Sequence, residues 1–159
     1  MKKYIKNLLR ESLLIESIKK EYNAWVMPSD KMLAQEYKVE HEFKGKKIWE
    51  SEEDFIGAVK NAPIVEVDEA MDNKIYNRSR TKTFDSLHNL IKSYRSYPKF
   101  RNEDTLKNLY TRIKNNEPLD YPIVLKYKDG NMIIFSGNTR MDVAFQMGVN
   151  PKVLMVELS

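Results

Sequence analysis

Residues 122–158, PIVLKYKDGNMIIFSGNTRMDVAFQMGVNPKVLMVEL, constrain the fold more than the rest of the chain, because their apolar runs and turn residues alternate at fixed spacings. Residues 122–127 form a short β-rich run, and Asp129-Gly130 is the dipeptide favoured in a tight hairpin turn. Residues 132–135 are a second apolar run that returns antiparallel to the first. Ser136-Gly137-Asn138-Thr139-Arg140 then leads into a segment where Met141, Ala144, Phe145 and Gly148 fall at i, i+3, i+4 and i+7. The second strand therefore passes through a glycine turn into a helix. Gly148 ends that helix as a cap, and residues 153–158 return as a third strand. A glycine turn that opens a helix aims backbone N–H groups and the positive end of the dipole at one place, and Arg140 adds a forked cation there. Such a place attracts an anion, and the anion expected is a phosphate.

The order of strand, Asp-Gly turn, strand, Ser-Gly-Asn-Thr-Arg, Gly-capped helix and final apolar strand resembles the ParB N-terminal and sulfiredoxin superfamily. That family carries a G-x-x-R motif at the start of a helix, where it binds nucleotide phosphates; here the motif reads Gly137, Asn138, Thr139, Arg140. The resemblance covers residues 104–158, extends back to about residue 63, and does not reach further. It implies an α/β (α+β) fold, a mixed sheet of four or five strands with helices around it. The expected organisation is an amphipathic extension over residues 1–22 and a single domain over residues 23–159.

Departures from the family narrow what carries over. Sulfiredoxins place a Cys directly after the motif glycine; this chain has Asn138 there and no Cys, so sulfiredoxin chemistry is excluded and no redox cofactor is expected. Chromosome-partitioning members read G-E-R-R-x-R-A, whereas here Asn138 replaces the Glu, Thr139 the first Arg and Asp142 the third. Their CTP-clamp mechanism is therefore not carried over. Those proteins continue into a helix-turn-helix reader and a dimerisation domain, and with the sequence ending at Ser159 a full partition protein is not expected. Relatives include CTPase switches, proposed nucleases and phosphotransferases. The resemblance thus implies a phosphate-binding domain acting on nucleotide or DNA, by phosphoryl transfer or phosphodiester cleavage, with a nucleoside triphosphate and Mg²⁺ as the implied cofactors. The alternative class is a non-catalytic DNA-binding or virion-associated phage protein.

Charge supports a local site rather than a general one. With 27 Lys and Arg against 23 Asp and Glu the net charge is +4, so any nucleic-acid affinity has to come from a patch. That patch is sought at residues 77–101. Arg78, Arg80 and Lys82 precede a helical stripe of Leu87, Leu90, Ile91 and Tyr94, and Arg95, Tyr97, Lys99, Phe100 and Arg101 follow it. Cations interleaved with aromatics grip a backbone and stack bases. Arg78 and Arg80 join Arg140 as candidates for the catalytic role; Arg95 and Arg101 are candidate wall residues. A competing assignment leaves these as solvated loop cations, with Tyr97 and Phe100 packed in the core.

Other constellations are thinner. Two histidines, His41 and His88, and no cysteine argue against zinc, while Asp68, Glu69 and Asp72 form an acidic cluster whose ordinary reading is a solvated face. Neither G-x-x-x-x-G-K-[ST] nor G-x-G-x-x-G occurs. No apolar run approaches a membrane span, so no membrane partner is expected; the expected location is the cytoplasm of a phage-infected bacterial cell or the virion. Residues 1–20 are basic and amphipathic, a helix for packing or for an oligomer or virion contact. Leu14-Ile15-Glu16 resembles the cleavage site of capsid-targeting peptides in large tailed phages. Further helices are expected over residues 29–43, ended by Lys44-Gly45-Lys46-Lys47, and after Ser51, whose acidic followers Glu52, Glu53 and Asp54 mark an N-terminus. Residues 63–67 read as a strand, 68–77 as a polar connection, and Leu106, Leu109, Tyr110 and Ile113 as the stripe of a helix leading to Pro122.

Overall fold

A computed structural model describes residues 21–44 (side chains through 40), 48–75 and 103–158. Within them a mixed four-stranded sheet runs in the order β2 (Ile64–Glu66), β6 (Lys152–Glu157), β4 (Ile123–Lys126), β5 (Met132–Ser136). The β4–β5 hairpin is antiparallel, β4 and β6 run parallel, and β2 lies antiparallel to β6 at the edge. The fold is thus α/β with a mixed sheet, as the sequence predicts.

Side-chain alternation explains why the three C-terminal strands are apolar except at their ends. Ile123, Leu125, Phe135, Leu154 and Val156 face one core with Leu33, Phe55 and Val59. Val124, Met132, Val153 and Met155 face a second core with Val67, Ile75 and Met141. A sheet covered on both faces has no polar face to alternate with, so its strands read as continuous hydrophobic runs. The first face is covered by α1 (Asp30–Lys44) and α2 (Glu52–Lys60), the second by α3 (Glu69–Lys74) and α5 (Asn138–Gln146). On the first face Phe55, fully buried, meets Tyr37, Trp49 and Phe135 at ring-centroid distances of 5.7, 4.8 and 5.1 Å.

Helix ends follow the sequence signals. Ser51 caps α2 by accepting from Asp54 N at 3.1 Å, and Ser29 caps α1 through Met32 N at 3.2 Å. Helix α4 (Glu103–Lys114) buries Leu106, Leu109 and Ile113 in a third cluster with Val143 and Ala144 of α5 and its C-cap Met147. Gly148 after α5 has φ +79°, the left-handed cap that glycine favours.

Two local assignments differ from the sequence expectation. The polar connection expected over residues 68–77 contains a helix in its described part: Asp68 accepts from Met71 N at 2.8 Å and starts α3, while Met71 packs on the second core. The hydrophilic composition hid a helix whose inward contacts are few. Trp25–Val26 (β1) and Leu119–Asp120 (β3) pair as a parallel two-stranded sheet, too short for periodicity to reveal. The amphipathic segment 1–20 and the basic segment 77–101 lie outside the described residues. Among the described residues no helix is long and apolar enough to cross a membrane.

Candidate functional site

The hairpin carries an irregularity that shapes the site. Ile123 pairs with Ser136 but Val124 pairs with Ile134, so Phe135 is an extra residue opposite the join. Strict alternation would put Ser136 on the side of Met132 and Ile134, in the second core. The bulge instead sets it opposite Ile123, on the α1 side, where it is 8% exposed and lines a cleft with Leu33 and Ile123.

Gly137 follows with φ +93° and serves as the N-cap of α5 without a side-chain cap bond. A Cβ added there would lie 2.7 Å from Arg140 Nη2 and 2.8 and 2.9 Å from Pro122 Cβ and Cα. Glycine is thus required twice, for the left-handed backbone and for the close approach of Arg140 across the turn. The G-x-x-R spacing acquires a mechanical meaning: the glycine makes room for the arginine three residues on.

Arg140 folds back rather than extending into solvent as an exposed first-turn residue would. Nη2 donates to Ser136 Oγ at 3.3 Å, and Nε is enclosed without a hydrogen-bond partner. Burial lowers its pKa from the ordinary arginine value, opposed by the carboxylates of Asp120 and Glu36. Both carboxylates line the same cleft, with Pro28, Met32 and Tyr121. Asp120 and Tyr121 are fixed by the β1–β3 pair, in which Tyr121 N donates to Val26 O at 2.9 Å. The cleft holds about 10 Å³, room for about one water.

Of the residues singled out in the sequence, Ser136, Gly137 and Arg140 come together at this turn, while Asn138 and Thr139 open α5 beside it. Arg78, Arg80, Lys82, Arg95, Tyr97, Lys99 and Arg101 lie outside the described residues. Sequence reasoning missed Glu36, Asp120 and Tyr121. Glu36 had a readable signal, an acidic residue within the stripe Met32, Leu33, Glu36, Tyr37 of α1; Asp120, on a two-residue strand, had none. The acidic cluster at α3 is dispersed in role: Asp68 caps the helix, Glu69 is exposed and Asp72 is buried. Among the described residues no group of three or more His, Cys, Asp or Glu is placed to hold a metal ion. Comparison with protein-family models, with curated proteins and with solved structures finds no match to this chain.

Proposed function

We propose that this is a phosphate-binding domain of the ParB/sulfiredoxin kind, in which Ser136, Gly137, Asn138, Thr139 and Arg140 hold a phosphate of a nucleotide or of DNA. The observation that carries the reading is the state of Arg140. A guanidinium has five N–H donors; this one is half-buried, makes a 3.3 Å bond to Ser136 Oγ, and keeps Nε enclosed without a partner. Enclosing an under-satisfied cation costs stability, and a phosphate supplies the missing acceptors through paired charge-assisted hydrogen bonds. The first turn of α5 adds the positive end of its dipole at the same point.

A cleft this small admits a phosphate oxygen rather than a base and sugar, so the rest of a ligand would lie outside it. Phosphoryl transfer or phosphodiester cleavage is the chemistry that the family resemblance adds to this reading, and DNA or virion binding without chemistry is its alternative. The test is thermal stabilisation by inorganic phosphate, nucleoside triphosphates and short duplex DNA, each with and without Mg²⁺, followed by product analysis for any ligand that stabilises. Stabilisation of the parent by a phosphate ligand and its loss in Arg140→Ala are expected. A parent indifferent to all of them would overturn the reading.

A further inference from the structure

The charges in the cleft do not balance in the way a simple anion site would require. One guanidinium, carried by the first turn of α5, shares the cleft with the carboxylates of Asp120 and Glu36. Both carboxylates stand on fixed elements. Asp120 is in register with Val26 in the β1–β3 pair, and Glu36 lies one turn beyond fully buried Leu33 on α1, which Ser29 caps. Neither carboxylate hydrogen-bonds to Arg140, whose bond runs to Ser136, and both act on it through space.

We propose that Asp120 and Glu36 set the charge selectivity of this cleft, so that it takes a singly charged phosphodiester in preference to a doubly charged phosphate monoester. The proposal rests on the phosphate-binding reading above. A ligand gains from Arg140 chiefly through a two-pronged pair of hydrogen bonds, which either phosphate offers. Its repulsion from the two carboxylates scales with its charge, and in a partly enclosed cleft that repulsion is screened far less than in water. The second negative charge therefore adds repulsion without adding a donor to meet it. Asp120 and Glu36 are specificity-determining residues in this account, while Ser136 and Arg140 make the contacts.

The test uses dimethyl phosphate and methyl phosphate, ligands of similar size that carry one and two charges at pH 8, titrated in EDTA against the full chain and followed by amide shifts. The parent is expected to prefer dimethyl phosphate. Asp120→Asn with Glu36→Gln is expected to narrow that preference by about tenfold, through a gain for methyl phosphate, and Arg140→Ala to lose both ligands; the tenfold corresponds to about 1.4 kcal/mol. If the double carboxamide variant keeps the parental ratio, or weakens both ligands equally while Arg140→Ala still abolishes binding, the carboxylates only position Arg140 and this inference falls with phosphate binding intact. If Arg140→Ala binds both ligands as the parent does, the phosphate-binding reading itself fails. Should the double variant not fold, the single variants Asp120→Asn and Glu36→Gln read the same ratio.

Discussion

Residues 123–157 and residues 21–44 meet at the cleft, and different kinds of information hold them in place. The first region is three consecutive strands and a helix joined by turns: β5 pairs with the β4 that precedes it, and β6, reached through α5, pairs parallel with β4. The second contributes a two-residue strand and a helix that cover distant parts: β1 pairs with β3 almost a hundred residues on, and Leu33 of α1 lies in the core beneath β4. One region is specified by local turn chemistry, the other by what it covers. The site forms where they join, with Ser136 and Arg140 from the first and Glu36 from the second.

The contrast breaks most readily at the covering layer. Phe55→Ala, which removes a fully buried ring touching Tyr37, Trp49 and Phe135, is expected to cost about 3–5 kcal/mol in urea unfolding. A loss below about 1 kcal/mol would mean that α2 is a detachable cover rather than part of one cooperative core.

Within the local region, two glycines differ in what an added side chain would meet. Gly137→Ala meets both a left-handed backbone and the Pro122 Cα at 2.9 Å, whereas at Gly148 a Cβ finds nothing within 4 Å. The first is expected to cost about 2–3 kcal/mol and the second about 1–2 kcal/mol, the left-handed penalty alone. Equal losses would remove the steric argument for Gly137.

How far the sequence reached follows the same division. The hairpin, α5 and β6 were readable because Asp129-Gly130, Gly137 and Gly148 punctuate apolar runs of the right lengths, and Ser51 marked α2 by its acidic followers. The bulge at Phe135 was not readable. It depends on pairing geometry rather than residue type, and it decides which face Ser136 joins. Asp120 escaped for a related reason: two residues show no period, and their strand exists only because Trp25 and Val26 lie alongside.

Smaller effects test the ends of elements. Ser51→Ala removes the acceptor for Asp54 N and is expected to cost about 1 kcal/mol in the same unfolding experiment. Tyr22, whose hydroxyl donates to the Glu117 carbonyl, has its pKa pushed up to about 12 by burial, partly offset by Arg112. The folded state thus favours the neutral phenol, whose contribution is complete below pH 10 and is lost as pH rises toward 12. Tyr22→Phe is expected to lose about 0.5–1.5 kcal/mol at neutral pH and to flatten that alkaline decline; a decline as steep as the parent's would assign it to other groups.

The smallest expected effect on folding belongs to the residue with the largest expected effect on binding. Because burial disfavours the charged form of Arg140 and Nε has no partner, Arg140→Ala should leave the ligand-free melting temperature nearly unchanged. Its phosphate affinity should fall about ten- to a hundredfold, the worth of a hydrogen bond to a charged group, and Arg140→Lys should restore part of it, since an ammonium lacks the fork. Thermal melts of parent and Arg140→Ala with and without the stabilising phosphate ligand test this directly. Unchanged stability without ligand and lost ligand stabilisation are the predicted result; a variant that binds as the parent does, or that loses several kcal/mol without ligand, would make Arg140 a structural residue and contradict the account.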